Sequence, residues 1–260
     1  MKRRRKQRRK FNARRLGRWA ATTLVTWLGL TALSVCALRF VDPPTSSIML
    51  QRRLDAFRTG RRAFTLKQRW LPLSQLPSHV ALAVISSEDQ RFFKHWGFDL
   101  TEISRAVNDH LDGEPLRGAS TITQQVAKNL FLWEGRSFAR KALEAYFTSL
   151  IELTWPKRRI LEVYMNIAEF GPGIFGIGTA ARYHFDRDAR QISVEQAALL
   201  AAILPSPLTR SARHPSPRVL HKQHWILEQM QAAHWAKTLA LDPVSALGSA
   251  PRASRTRSAT

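Results

Sequence analysis

Cysteine is nearly absent. Cys36 is the single one in 260 residues, so neither an intramolecular disulfide framework nor a Cys-based zinc site can form. An extracytoplasmic home is still permitted. Acidic residues are scarce as well, 19 Asp and Glu against 41 Lys and Arg. The resulting formal charge of +22 points to a polyanion or an anionic surface as partner, nucleic acid being the first suspicion. No repeat of 20–50 residues is visible, which removes solenoids and propellers. Long runs of alternating apolar and polar residues are also scarce, which argues against an all-β domain. What is present, 44% apolar and 23% charged residues, is the composition of an ordinary folded protein with room for one large domain and tails.

The charge is unevenly spread. Residues 1–18 hold eleven Lys or Arg and no acid, so the rest of the chain carries +11. Directly after this arm, Trp19 to Leu38 is a run of twenty uncharged residues bounded by Arg18 and Arg39. As a helix rising ~1.5 Å per residue it spans ~30 Å, the hydrocarbon thickness of a bilayer. A buried helix of a soluble domain would carry a polar stripe, and only Thr, Ser and Gly interrupt this run. A cleaved signal peptide has the V-x-A pattern of Val35 and Ala37 in its favour, but its apolar core would be longer than the usual ~7–15 residues. A lipoprotein signal wants a small residue before Cys36, where Val35 stands. An uncleaved transmembrane helix fits best, with the basic arm kept on the cytoplasmic side and the remainder exported. Topology and anionic headgroups then account for the arm without nucleic acid.

Beyond the anchor, Asp42 to Ser47 reads as a linker, and residues 48–70 as a basic amphipathic helix and turn that suit either headgroups or solvent. Apolar residues at spacings of three and four recur through residues 76–240, as in Leu143-Phe147-Leu150-Ile151 and Ala197-Leu200-Leu204, and predict a mainly helical domain with short strands at most. The layout is a basic cytoplasmic arm (1–18), a transmembrane helix (19–38), a linker and membrane-proximal segment (39–69), the main domain (70–240) and a disordered basic tail (241–260).

Four polar stretches of that domain bear on chemistry. Glu88 to Asp99 packs acids, bases and His95 among four aromatics, as a cleft wall does. Glu88 closes a helix predicted over Val80 to Ser87, and a carboxylate at that end meets a dipole that raises its proton affinity, which suits a general base. It serves equally well as half of a surface pair with Arg91. His95, beside Gly97, reads as a turn-stabilising hydrogen-bond partner more readily than as a second acid or base. In the second stretch Ser120 or Thr121 caps a helix that bears Gln124, Gln125, Lys128 and Asn129, a row of amides and one cation suited to sugar hydroxyls and a phosphate, or to solvent. Further on, Glu144 shares a helix face with Lys141 and Arg140, three and four residues before it. With Lys128 and Arg136, these cations could hold a pyrophosphate leaving group; alternatively they form an exposed ion-pair cluster. Lys157-Arg158-Arg159 opens another helix, and Gly171 to Gly178 makes a tight turn.

Taken together, E-D-Q-R-F-F-K-H-W-G-F-D, G-A-S-T-I-T-Q-Q-V-A-K-N, R-K-A-L-E-A-Y, K-R-R-I-L-E-V-Y-M-N and the glycine turn resemble, in order and spacing, the peptidoglycan glycosyltransferases of bacterial walls. The resemblance covers roughly residues 70–235. It implies a mainly α fold, a lysozyme-like helical glycosyltransferase domain with a membrane-proximal lobe, preceded by one transmembrane helix. It also implies polymerisation of lipid II into β-1,4 glycan with release of undecaprenyl pyrophosphate. Glu88 matches the family's catalytic base, Glu144 its second functional carboxylate, and Lys128, Arg136, Arg140 and Lys141 its cationic clamp. Ser120, Thr121, Gln124, Gln125 and Asn129 match positions along the sugar and phosphate path. Neither S-x-x-K nor K-T-G appears, so the expectation is the monofunctional biosynthetic type, without transpeptidase activity. One departure is Tyr183-His184-Phe185, where the family often has a Tyr-Phe pair; it reads as a packing variation.

The implied partners are lipid II, the growing lipid-linked strand, the bacterial inner membrane and proteins of wall synthesis or division, with no nucleic acid; the catalytic domain is expected in the periplasm. No cofactor is expected. Mg²⁺ between pyrophosphate and Glu144 is compatible with the chemistry, but the spacing spells out no ligand set. A lysozyme-like hydrolase, the first rival, has no use for a cationic clamp. The second, a membrane-anchored scaffold or nucleic-acid binder, has no need of Glu88 and Glu144.

Overall fold

The computed structural model describes residues 2–61, 63–114, 118–135 and 137–232, with the backbone alone for residues 2–14. The tail 241–260 and Arg136 lie outside the described residues. Ten helices are present among them: α1 (Lys2–Leu38), α2 (Ser47–Arg58), α3 (Ser78–Glu88), α4 (Leu100–Leu111), α5 (Ile122–Phe131), α6 (Phe138–Thr154), α7 (Lys157–Ile167), α8 (Ile177–Phe185), α9 (Val194–Ile203) and α10 (Pro217–Ala232). Three short strands accompany them, β1 (Lys67–Gln68), β2 (Glu169–Gly171) and β3 (Ile174–Phe175). The mainly helical class expected from the sequence is met. The chain forms two compact units, Met1–Leu66 with Arg91–Ile167 and Lys67–Gln90 with Ala168–Thr260.

In the first unit α1 is one helix through both the arm and the apolar run, since no proline interrupts residues 2–38. Its Arg15–Leu38 stretch is long and apolar enough to cross a membrane and is almost wholly exposed, so it is not a core helix. One stripe of α1 is fastened to α6 and its surroundings. Trp27 stacks on Tyr146 with ring centroids 5.6 Å apart, and the Thr31 and Tyr146 hydroxyls lie 2.8 Å apart. The Trp155 indole N–H donates to the Val35 carbonyl at 2.8 Å, and Arg39 donates to the Thr154 carbonyl at 2.7 Å. Arg159 donates to the Leu38 and Val41 carbonyls and pairs with Asp42, so the carbonyls left open at the end of α1 find donors. Ser46 then caps α2, and Gln51 ties that helix to the Leu132 carbonyl and the Glu134 amide beyond α5.

Helices α5, α6 and α7 pack around Val126, Ala127, Ile151, Ile160, Leu161 and Tyr164, all buried. Phe131 stacks on Phe147, centroids 4.4 Å apart. Buried among them is a polar knot. Glu152 accepts from Thr123 Oγ1 at 2.5 Å and from Lys157 Nζ at 2.8 Å, and Lys157 Nζ also sits 4.6 Å over the Phe92 ring. Gly97 lies against the same spot with φ +79°, where a Cβ would come within 2.7 Å of Thr148 Cγ2 and 2.8 Å of Glu152 Cγ.

The second unit is built on α9, whose Ala197, Ala198, Leu200, Ala201, Ala202 and Ile203 are buried, with α3 and α10 packed against it. The alanines let the neighbouring helices approach closely. The strands form one sheet in the order β1-β3-β2, with β1 parallel and β2 antiparallel to β3; the tight turn expected at the glycines is the β2–β3 hairpin, with Gly173 at φ +75°. His184 on α8 is buried and its Nε2 bonds the Phe170 carbonyl at 2.8 Å, fastening α8 to β2.

Two outcomes are expected. Gly97→Ala combines a strained φ with overpacking and should destabilise by about 2–4 kcal/mol, seen as a lowered thermal midpoint. Burial pushes the His184 imidazole below its ordinary 6.5, outweighing the upward effect of the Phe170 bond. The unfolded chain therefore takes this proton first, and stability is lost as pH falls below that value. Denaturant titrations at several pH values should show His184→Gln with a shallower acid loss.

Candidate functional site

The best-defined charged arrangement of the first unit is on α6. Ser137 caps this helix by accepting from the Arg140 amide at 3.2 Å, which fixes the first turn on which the cations sit. Glu144, only 3% exposed, accepts from Arg140 Nη1 at 2.9 Å with one oxygen and from Lys141 Nζ with the other. A carboxylate so shielded is tolerable only when paired, and here both oxygens are. The cations differ: the Arg140 side chain is 12% exposed, while that of Lys141 is 52% exposed. The cluster is thus a buried anion that orients two cations, one rigid and one reaching outward. That decides against an ion-pair cluster standing wholly in solvent.

On α5 the polar row divides by function. Thr121 is the N-cap, accepting from the Gln124 amide at 3.2 Å, while Gln124 Oε1 accepts from the Thr121 amide at 2.9 Å, a reciprocal capping box. Thr121 Oγ1 also donates to the Gly97 carbonyl at 2.6 Å. Both side chains are buried, and this bonding ties the start of α5 to the loop before α4. Ser120 stands exposed just ahead of the cap, whereas Gln125, Lys128 and Asn129 are half-buried. Gln125 Oε1 accepts from the Tyr164 hydroxyl at 3.1 Å. Lys128 lies one turn beyond Gln124.

The loop between Arg91 and Asp99 has a buried side and an open one. Phe92, His95 and Asp99 are buried, and Asp99 caps α4 while its other oxygen faces Arg91 Nε at 3.4 Å. Trp96 is exposed, and a cavity of about 430 Å³ opens among Arg91, Lys94, Trp96, Phe98 and Leu100. A concave wall was expected from the density of aromatics and charges in this stretch.

In the second unit Glu88 is the last residue of α3, half-buried, with Ser87 Oγ donating to its Oε1 at 3.1 Å. The same hydroxyl lies 3.2 Å from the Ala201 carbonyl of α9. At a helix carboxyl end the backbone dipole opposes a negative charge. On α10, burial pushes the Lys222 pKa down, the Glu88 charge draws it back up, and Arg210 adds to the lowering. Lys222 Nζ rests 4.2 Å above the Trp225 ring.

Of the residues singled out in the sequence, Arg140, Lys141 and Glu144 are brought into direct contact, and Thr121 and Gln124 meet in the cap. Arg136 lies outside the described residues. Sequence reasoning missed Lys222 and the Thr123–Glu152–Lys157 knot. A T-x-x-Q capping signature was legible for Thr121 and Gln124. No spacing rule joins Lys222 to Glu88, and Pro156 separates Glu152 from Lys157, so neither pairing leaves a local signal.

Residues 57–231 match a protein family described as "Transglycosylase". The chain is 51% identical over 209 residues to a biosynthetic peptidoglycan transglycosylase of Stutzerimonas stutzeri, covering 80% of this chain and 86% of that one. It is 46% identical over 217 residues to the protein of that description from Xanthomonas campestris pv. campestris, 84% of this chain and 88% of the other. With that from Pseudomonas aeruginosa it shares 49% over 207 residues, 80% and 89% of the two chains.

Replacing Glu144 with Gln leaves Arg140 and Lys141 as an uncompensated like-charge pair beside a buried amide. Discounted for the exposure of Lys141, the loss should be about 2 kcal/mol in denaturant unfolding. Arg140→Ala should cost more stability than Lys141→Ala, in line with their burial.

Proposed function

We propose how these residues act from one premise, that the chain belongs to the transglycosylase family. The protein is a peptidoglycan glycosyltransferase, polymerising lipid II into β-1,4 glycan strands and releasing undecaprenyl pyrophosphate. In our reading Glu88 is the general base. Its carboxylate takes the proton from the 4-hydroxyl of the acceptor's N-acetylglucosamine as that oxygen attacks C1 of the donor's N-acetylmuramic acid. The bond from C1 to the pyrophosphate oxygen breaks, its electron pair leaves with the pyrophosphate, and the α-linked donor becomes a β-linkage. The proton passes from Glu88 to solvent before the next cycle.

A sugar hydroxyl is too weak an acid to ionise beforehand, so proton removal accompanies bond formation and typically contributes ~10²–10⁴ in rate. Pyrophosphate departs readily only where cations meet its growing charge. Lys128, Arg136, Arg140 and Lys141 are assigned to that clamp, and Glu144 to orienting it. The observation that supports this reading most is Glu144 holding Arg140 and Lys141 from a buried position, since preorganised cations serve a phosphorylated leaving group and have no use in hydrolysis of a glycosidic bond. Ser120, Gln125 and Asn129 are assigned to the sugar and phosphate path. Thr121 and Gln124 belong to it through the amino end of α5 that they hold.

Both substrates carry polyprenyl tails, so the enzyme must meet them at a bilayer. We read α1 as a single-pass anchor in the bacterial inner membrane, its basic start cytoplasmic and the domain after it periplasmic, by the retention of Lys and Arg on the cytoplasmic side.

Polymerisation of labelled lipid II by detergent-purified protein tests the scheme. The parent should give muramidase-sensitive polymer, Glu88→Gln should remain folded and lose at least ~10²-fold, and Lys128→Ala should lose turnover at saturating substrate. Parent-like polymerisation by Glu88→Gln would remove the base assignment. Cleavage of preformed glycan without synthesis would remove the polymerase reading.

A further inference from the structure

We propose that Lys222 is a positioning residue for Glu88, its ammonium set on the inward stripe of α10 so that the carboxylate at the end of α3 stays ionised for proton removal. The inference rests on reading Glu88 as the base. Lys222 lies three residues after Val219 and four before Ile226, both buried, so a lysine occupies the stripe that α10 turns toward the interior of its unit. α10 packs against both α3 and α9. Two residues past Glu88, Gln90 Nε2 bonds the Ser86 carbonyl at 3.3 Å and Gln229 Oε1 at 3.2 Å, tying the end of α3 to α10. Gln229 is two turns beyond Lys222 on the same face. The ammonium itself is parked over Trp225, which leaves a half-buried lysine little freedom to swing into solvent.

Other charges stand on and beside these elements. On α3, His79 bonds the Ile192 carbonyl at the opposite end of the helix from Glu88, and buried Asp89 follows Glu88 as the C-cap. On α9, Glu195 accepts from Ser193. On α10, Arg218 and His221 are exposed, and His224 pairs with Glu228 at 3.3 Å. Half-buried Arg210 donates to the Ala202 carbonyl and adds a second positive charge near Lys222. The interaction is mutual: the Glu88 charge favours the charged form of Lys222, so Lys222 favours the charged form of Glu88. It thereby offsets the unfavourable dipole at the end of α3.

The test is the pH–rate profile for polymerisation of labelled lipid II by full-length protein, comparing parent, Lys222→Met, Lys222→Arg and Glu88→Gln, with thermal midpoints measured alongside. Loss of the cation makes the carboxylate easier to protonate, so Lys222→Met should move the acidic limb of turnover upward by about one pH unit. Lys222→Arg should keep the parent's limb, and both variants should keep the parent's thermal midpoint. An acidic limb of Lys222→Met that superimposes on the parent's overturns the proposal, as does an equal loss in both variants at every pH, which marks a packing role. Glu88→Gln separates the two failures. If it is inactive while the limb is unmoved, only the role of Lys222 falls; if it is as active as the parent, the base reading falls and this inference with it.

Discussion

Glu152 is the side chain on which the first unit turns. A buried carboxylate on α6, it is acceptable only with donors in place, and it draws them from two directions, Thr123 on α5 and Lys157 at the start of α7. Lys157 in turn lies over Phe92, so the loop that follows Glu88 in the chain rests on the same charge pair. Gly97 must be glycine because Glu152 and Thr148 fill the space a Cβ would take, and the carbonyl of that glycine receives the Thr121 hydroxyl. Three helices and one loop are therefore positioned by a single satisfied polar network. In a low-dielectric interior such a network specifies one arrangement sharply, since any slip leaves a buried group unpaired.

What that network positions explains why α5 and α6 carry the polar residues they do. α5 begins where its capping box is held against the loop, and α6 presents Arg140 and Lys141 from a first turn capped by Ser137. Donors aimed at a developing charge work best when they need not reorganise, and in the clamp we propose Glu144 would supply that rigidity, since it pairs with both cations. The position of a carboxylate between two cations also limits the net charge that the helix must carry before substrate arrives.

The legible part of this architecture was the part written at helical spacing. Arg140, Lys141 and Glu144 stand at three and four residues, and their contact follows from the period alone. The end of α3 at Glu88, the helix after Pro156 and the apolar run of α1 were legible for similar reasons. Burial was not: the same spacing describes an exposed ion cluster and one whose carboxylate is 3% exposed, because burial depends on what packs above. Thr121 was legible as one of two candidate caps, but Gln124 was read by side-chain type, as an amide for a sugar, although the T-x-x-Q spacing spells a reciprocal box. The division of α1 at Arg18 followed charge, whereas the backbone follows helix propensity, to which arginine and leucine contribute alike. Lys222 and Lys157 were illegible because their partners are set by tertiary packing and by a proline break, and no period connects them.

The two roles we propose, a clamp for the leaving group and a base, make different physical demands, and the fold answers each differently. A cation that receives a leaving group must be fixed and must not change its charge. A guanidinium never does in practice, and the Lys141 ammonium is paired with a carboxylate. A base must do the opposite: stay ionised at rest, yet bind a proton strongly enough to remove it from a sugar hydroxyl. For the proposed base, the end of α3 is where a helix dipole disfavours the anion, while Ser87 Oγ donates to Glu88 and, in our proposal, the Lys222 ammonium offsets that dipole. Half-burial suits such a balance, because water screens the neighbours of an exposed carboxylate and deep burial disfavours its charged form. A helix terminus is the natural place for such a group, and a helix face pinned by a buried anion the natural place for the other.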